Sequence, residues 1–548
     1  MQTKYIVVLG SLLSGLGKGI VTSSIAKILS FYGYKALPMK FDGYLNYDCG
    51  TMNPYRHGEV FVLDDKSEVD MDFGNYERFL NLNLSGDFSL TGGKVFSSII
   101  EKERRGEFLG RDVQFIPHVT DFIVSKVEEV SQKHALDVML IEVGGTVGDI
   151  ENSYFIEAMR QLALKHKTVF VDVTYVPMLS AVGEQKTKPT QLALRSMMQM
   201  GIMPNVIICR SEGPLGEEAK AKISNFANIP EENVFDDHDM LSVYELPLHL
   251  IDQKFDKKML ALLGMANSID RRKEAVWREK TEKINSALSS SQKPNAKKVR
   301  ISIVGKYMGL RDSYVSLREA LLHASAENNV GIDINWVESE LLESMDPAQL
   351  LGGSDGIIVP GGFGGRGIEG MINAIKYART NRIPYLGLCL GMQLMAVEFA
   401  RNVCGLNGAN SEEFDRDAKY KVIKLMEDQR TIKYKGGTMR LGSWPAKLKR
   451  GTNSYKAYRK GTITERHRHR YEFNNAYRKI LQKGGLVVSA TTPNNLLVEM
   501  IEWKGQFGIG TQAHPELKSR PEAPSPIFVS FLRTAAARMG SARAQKQP

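Results

Sequence analysis

The sequence predicts an α/β protein made of two doubly wound domains. Two observations carry that expectation. Apolar strand-like runs alternate with helical patterns in both halves, and each half opens a helix from a glycine-flanked turn directly behind a strand. In the first half, residues 5–9 run into Gly10-Ser11-Leu12-Leu13-Ser14-Gly15-Leu16-Gly17-Lys18-Gly19, and a helical pattern begins at Ile20. In the second, Pro384-Tyr385-Leu386-Gly387-Leu388 runs into Cys389-Leu390-Gly391-Met392-Gln393.

Further strands are expected at 137–142, 168–173 and 205–209, giving a parallel sheet with helices on both faces. A charged helical stretch follows at 268–274, and the small, polar residues 286–294 read as a plain linker. A new strand at 299–304 opens the second domain. The expected boundaries are a first domain at 1–266, a linker at 267–297, a second domain at 298–538 and a basic tail at 539–548, with Arg543 and Lys546 among small residues. No internal repeat is present.

A chain of 548 residues, 43% hydrophobic and 24% charged, is long enough for two or more ordinary cores. No apolar run approaches the roughly 20 residues that span a bilayer, and Met1-Gln2-Thr3-Lys4 leads straight into a strand. No membrane partner is therefore expected. Four scattered cysteines offer neither a disulfide framework nor zinc spacing, which points to a reducing cytoplasm. The net charge of +10 is spread among interleaved acids without a nucleic-acid signature. An enzyme that binds several triphosphates also needs a basic surplus, so motif context rather than charge favours nucleotides over a nucleic acid.

Glycines on both sides of Cys389 allow a tight, strained turn that holds the thiol out at the sheet edge. The N–H groups behind it favour a negatively charged sulfur. Thr511-Gln512-Ala513-His514-Pro515-Glu516 supplies a base and a carboxylate to orient it. A lone buried cysteine is ordinarily inert packing, which is the reading for Cys49, Cys209 and Cys404. The elbow and the His-x-Glu pair single out Cys389. This pairing resembles the class I, triad glutamine amidotransferases, which cut glutamine to glutamate and ammonia. The glycine-rich turn 360–365, behind a strand at 356–359, offers the backbone donors an oxyanion needs.

The loop that ends in Lys18-Gly19 forms a nest of N–H donors at a helix N-terminus, a cradle for phosphate. Its spacing is not that of a standard Walker A loop, and Gly19 replaces the hydroxyl residue that normally helps hold magnesium. Carboxylates from elsewhere must do that work.

A phosphate loop joined to a glutaminase suggests an ammonia-dependent ligase, and four further segments narrow it. They are Asn46-Tyr47-Asp48-Cys49-Gly50-Thr51-Met52-Asn53-Pro54-Tyr55-Arg56-His57-Gly58-Glu59-Val60, Glu142-Val143-Gly144-Gly145-Thr146-Val147-Gly148-Asp149-Ile150-Glu151, Lys186-Thr187-Lys188-Pro189-Thr190-Gln191 and Glu465-Arg466-His467-Arg468-His469-Arg470-Tyr471. With these in order from about residue 3 to 536, the chain resembles the CTP synthase family. The resemblance implies a dethiobiotin-synthetase-like P-loop domain fused to a class I glutamine amidotransferase domain. It implies amination of UTP to CTP with ATP and glutamine through a 4-phosphorylated UTP. GTP is implied as activator, CTP as feedback inhibitor and Mg²⁺ as cofactor, in a homotetramer (a dimer of dimers) that can extend to filaments.

By the same resemblance, ATP is met by Ser14, Gly15, Leu16, Gly17, Lys18, Gly19, Ile20, Lys40 and Asp72. Magnesium falls to Asp72 and Glu142. The residues alone leave Asp70 and Asp72 both open, because strand alternation in 68–72 puts them on one face; Glu142 ends an apolar strand, where α/β sheets place their ligands. UTP or CTP is implied to meet Ser14, Asp149, Ile150, Glu151, Lys186, Thr187, Lys188, Gln191 and Lys222, with Phe226 either near the base or packed in the core. Cys389, His514 and Glu516 are the implied catalytic residues. Gly362, Leu390, Gln393, Glu413, Arg470 and Tyr471 are the implied glutamine contacts. The run 467–470 reads as a site loop.

Gly43 stands where the family has proline, Ser11-Leu12-Leu13 replaces Gly-Val-Val, Lys66 takes a turn-glycine position, and the loop between Glu427 and Lys435 is short. None removes a catalytic group. Free ammonia would be protonated in bulk water, so an enclosed passage is expected, with Pro54, His57 and Val60 as candidate walls; His57 reads equally as a packed core histidine. Two competing readings are a cobyrinic-acid-type amidating synthase, which lacks the Thr-Lys-Pro-Thr-Gln and His-Gly-Glu-Val-Phe stretches, and a non-catalytic filament protein, which does not need an intact triad.

Overall fold

The computed structural model describes the chain apart from residues 1, 14, 54–56, 180–182, 295, 307, 310, 427, 428, 430–435 and 545–548, and describes only the backbone of 311 and 541–544. Ser14, Pro54, Lys546 and most of the loop between Glu427 and Lys435 therefore lie outside the described residues. The chain forms two compact units, Met1–Cys49 with Asn75–Thr281, and Gly50–Gly74 with Glu282–Pro548.

The first unit is a seven-stranded sheet in the order Val234–His238, Val206–Ser211, Thr168–Tyr175, Lys4–Gly10, Val138–Val143, Ala36–Asp42, Ser89–Thr91. Every neighbouring pair is parallel. The continuous apolar run Ile6-Val7-Val8-Leu9 fits a strand covered by helices on both faces, and all four residues are fully buried. The Lys18–Phe31 helix starts immediately after the phosphate loop, and buries Val21, Ile25, Ile28 and Leu29.

The second unit has a nine-stranded sheet. Its parallel part runs Gly331–Glu338, Lys298–Gly305, Gly356–Val359, Tyr385–Leu388, Gly508–Thr511. Antiparallel strands Val498–Trp503, Leu486–Thr491, Arg440–Leu448 and Thr462–His469 extend it. The segment Gly50–Gly74 belongs to this unit through the hairpin Phe61–Val62 and Glu68–Val69. Asp64 and Glu68 from that hairpin hold Arg466 and Arg468 at 2.6 and 2.7 Å. Lys66 takes the left-handed conformation of the hairpin turn (φ 78°), and its ammonium lies 5.3 Å from the centre of the Trp444 ring. That cation–π contact accounts for a lysine at a turn-glycine position.

Four local expectations are corrected. Residues 286–292 are not linker but the end of a helix, Arg271–Gln292. Trp277, Thr281, Ile284 and Ala287 recur at helical spacing and are buried, a stripe that outweighs the small polar residues between them. The basic tail is helical as well, because Pro526–Ala544 runs through most of it. Residues 467–469 are strand rather than site loop. Alternation buries His467 and His469 and leaves Arg468 partly exposed. Finally, Asp70 and Asp72 do not share a strand face. The strand ends at Val69, and the Asp72 N–H donates to Asp70 Oδ1 (2.9 Å) as the Asp72–Leu80 helix begins.

Candidate active site

In the second unit, Cys389 sits between the Tyr385–Leu388 strand and the Leu390–Asn402 helix with φ 50° and ψ −99°. This is a strained conformation for a residue with a Cβ, and strain of this kind is kept where the surroundings over-determine it. Its N–H donates to the Thr511 carbonyl (2.7 Å), and its own carbonyl accepts from Met392 and Gln393. A Cβ at Gly391 would strike the Val359 carbonyl, so only glycine lets the helix start this close to the sheet.

Parallel pairing of Leu388 with Thr511 brings the end of the Gly508–Thr511 strand beside the elbow. His514 follows, with its N–H held by the Arg466 carbonyl at 2.7 Å. His514 Nδ1 lies 2.7 Å from Glu516 Oε1. Burial disfavours a charged imidazole, but Glu516 and the Cys389 sulfur outweigh it and push His514 up to about 10. Gln512 Nε2 donates to Cys389 Sγ at 3.7 Å. A cavity of about 90 Å³ is lined by Cys389, His514, Glu516, Gly361, Gly362 and Arg468, and by Glu59 and Val60 from the 50–74 segment. Glu59 is fixed there by the Ser316 N–H, which donates to its carboxylate at 3.0 Å.

Of the expected glutamine contacts, Gly362 lines this cavity. Gln393 Nε2 donates to the Tyr471 carbonyl (3.0 Å), and Glu413 Oε1 accepts from the Gly364 N–H (3.0 Å) in the glycine-rich turn. Burial pushes the Glu413 carboxyl up. Arg470 Nη1 is held by Gln429 (2.7 Å) and Thr438 (3.0 Å). Gly362 faces the Leu390 and Lys306 side chains.

Lys306 was missed in the sequence. Its ammonium donates to the Phe363 carbonyl (3.2 Å) and to that of Gly364, bracing the turn. Burial pushes it down to about 8. Its place at the carboxyl end of the Lys298–Gly305 strand was the available signal.

In the first unit, the Lys18 ammonium donates to the Gly145 carbonyl (2.7 Å), which ties the phosphate loop to the Gly144-Gly145 turn. Lys40 lies 3.5 Å from Glu142, and both are buried. Tyr76 also donates to Glu142. Asp149 Oδ2 accepts from the Thr146 N–H at 3.0 Å, while Ile150 and Glu151 are exposed. Thr187 and Lys188 begin the Lys188–Gln199 helix, and Gln191 donates back to Thr187 (3.2 Å). Lys186 pairs with Glu184 at 2.6 Å and Lys222 with Glu218 at 2.5 Å, both near the surface. Phe226 packs at the edge of an apolar cluster with Arg195 over its ring. His57 is exposed rather than a core histidine.

Gly43 has a local explanation. A Cβ there would meet the Asn152 side chain and come within 2.8 Å of the Glu151 carbonyl, so the turn packs directly on 151–152. Asp172 was also missed: it interrupts the apolar Thr168–Tyr175 strand, is held by Ser11 Oγ at 3.0 Å, and is pushed up to about 7 by burial against the opposing pull of Ser11 and Lys18.

Residues 4–265 match the family model described as CTP synthase N-terminus, and residues 310–534 match glutamine amidotransferase class-I. A CTP synthase of Caldanaerobacter subterraneus subsp. tengcongensis is 48% identical over 97% of this chain and 98% of its own length. The CTP synthase of Pyrococcus furiosus is 49% identical over 97% and 98%. Among solved structures, the Trypanosoma brucei CTPS glutaminase domain with bound acivicin is 40% identical over 44% of this chain and 94% of its own, with a TM-score of 0.42. On near-full-length identity of this size, the chain belongs to the CTP synthase family.

Proposed function

We propose that the chain makes CTP by ATP-dependent amination of UTP, with ammonia taken from glutamine, and that the division of labour follows boundaries near 1–266 and 298–538. The observation that carries the glutaminase half is the convergence of Cys389, His514 and Glu516 on one cavity at a strained elbow. Cys389 attacks the glutamine amide carbon and forms a thioester. His514 delivers the proton that lets ammonia leave and then activates water to release glutamate, while Glu516 holds its tautomer. The Gly362 and Leu390 N–H groups receive the oxyanion. Glu413 suits the substrate ammonium and Arg470 its carboxylate, with Gln393 and Tyr471 between them.

The uracil C4 oxygen is a poor leaving group. Transfer of the ATP γ-phosphoryl to it gives a 4-phosphorylated UTP, and ammonia displaces that phosphate. The loop 14–20 with Lys18 and Lys40 serves ATP. Asp149, Ile150, Glu151, Lys186, Thr187, Lys188, Gln191 and Lys222 serve UTP and, overlapping it, CTP as feedback inhibitor. The lysines offset triphosphate charge. Buried Glu142 at a strand end is a hard oxygen donor that fits Mg²⁺, as does Asp72; the ion, when bound, neutralises phosphate charge in the transfer. GTP as activator, a homotetramer capable of forming filaments, and a cytoplasmic location complete the reading. No helix among the described residues is long and apolar enough to cross a membrane.

The test is CTP absorbance with UTP, ATP and Mg²⁺ plus either glutamine or ammonium. CTP from both nitrogen sources is expected. Glutamine hydrolysis without CTP from either source would overturn the reading.

A further inference from the structure

At the edge of the first unit's sheet, three strands away from Lys4–Gly10 and its phosphate loop, lies a cluster the proposed reaction does not use. Asp236 and His238 are two apart on the edge strand Val234–His238 and so project to the same side. His249 comes to them from the Leu246–Asp252 helix. One ligand atom from each lies within 4.8 Å of the others. Asp236 Oδ2 is 2.5 Å from His238 Nδ1 and 3.1 Å from His249 Nε2. The two imidazole rings stand nearly perpendicular, at 85°, with centres 4.9 Å apart.

We propose that Asp236, His238 and His249 bind a divalent transition cation of the zinc class. Two imidazoles and a carboxylate are a zinc-type donor set, and the mixed N/O chemistry disfavours Mg²⁺, which demands oxygen. The carboxylate is already oriented: the Leu215 N–H takes Oδ1 at 3.1 Å, so Oδ2 alone faces the rings. The strand and the His249 helix are registered against each other by Gln253. Its side-chain amide accepts from the Asp236 N–H (2.8 Å) and donates to the Asp236 carbonyl (2.9 Å), closing the edge ladder. Such second contacts hold ligands in place before an ion arrives.

The site is also open enough for a fourth ligand. The side chains of Asp236, His238 and His249 are 16%, 24% and 26% exposed, which leaves room for a water to complete a tetrahedron. Local charge favours a cation. Asp237 and Asp252 add negative potential at His249, while Arg210 is spent on Asp239 and on the Asp237 carbonyl. With no ion, Asp236 Oδ2 is hydrogen-bonded to both rings. The competing account is a hydrogen-bonded His–Asp–His staple with no ligand.

The experiment uses the full-length Cys389→Ala chain, which removes the thiolate at the other site, stripped with chelator and free of nucleotide. Zn²⁺ and, as a spectroscopic probe, Co²⁺ are titrated in. The expected results are one tight Zn²⁺ per chain, a visible Co²⁺ absorption that Zn²⁺ abolishes, and a Zn²⁺-dependent rise in Tm. His249→Leu and His238→Gln, tested separately in case one variant misfolds, should each weaken binding by more than about 100-fold. No stoichiometric uptake by the parent chain, or equal uptake by a folded variant, would overturn the proposal.

Discussion

His514 Nδ1 and Glu516 Oε1 lie 2.7 Å apart at the end of a strand whose last residue, Thr511, also holds the Cys389 N–H. One strand end thus sets both the base and the nucleophile, and Glu516, with the Cys389 sulfur, raises the proton affinity of a buried imidazole. The chemistry of the glutaminase half follows from that pair.

Glu516→Gln should lower glutamine-dependent CTP formation by about 10²–10⁴-fold and leave ammonium-dependent formation intact. The His514 titration, followed by NMR, should fall from about 10 toward the ordinary histidine range. The sign for stability follows. The folded imidazole holds its proton more tightly than the unfolded one, so the pair stabilises below roughly pH 6.5 and loses that contribution as pH rises toward 10. Unfolding of the variant should lack that alkaline decline. An unchanged titration would remove Glu516 from its role.

Asp172 gives the opposite dependence. Its carboxyl is pushed up to about 7 by burial, so the folded chain prefers the proton, and ionisation costs stability as pH rises from about 4 through 7. Asp172→Asn should be more stable than the parent at pH 8 by at most about 4 kcal/mol, and this advantage should vanish near pH 4. A constant difference across that range, measured by denaturant unfolding, would contradict the assignment.

Lys18→Ala should abolish CTP formation from both glutamine and ammonium while sparing much of the basal glutamine hydrolysis. Removing a phosphate-side cation costs several kcal/mol of transition-state stabilisation in sites of this kind, roughly 10³-fold or more. Near-normal ammonium-dependent synthesis would exclude Lys18 from ATP binding.

Val60 shares a cavity of about 90 Å³ with Cys389, and a phenylalanine would fill much of it. Val60→Phe should lower the ratio of CTP to glutamate while glutamine is still hydrolysed. A ratio of one would remove Val60 from the path of ammonia.

The architecture was legible because its signals are local and strong. Buried parallel strands read as unbroken apolar runs, and the glycines around Cys389 and Lys18 announce backbone conformations that few other residues tolerate. What stayed hidden depended on contacts distant in sequence. The 286–292 stretch looks like linker until Ile284 and Ala287 are seen buried at helical spacing with Trp277. The alternation of His467 and His469 with arginine looks like a site loop until strand pairing buries the histidines. Lys306 acts by bracing the distant turn at 363–364, and Asp236 gathers two histidines, one of them from a separate helix; the strand end before Lys306 and the Asp-x-His spacing are local signals, but the partners they meet are not.

The central claim is that the chain makes CTP with ammonia that only Cys389 can release from glutamine. It is tested most directly by measuring CTP formation in Cys389→Ala with glutamine and, separately, with ammonium. The account predicts no detectable glutamine-dependent CTP and near-parental ammonium-dependent CTP. Glutamine-dependent synthesis at the parental rate, or loss of both activities in a folded chain, would contradict it.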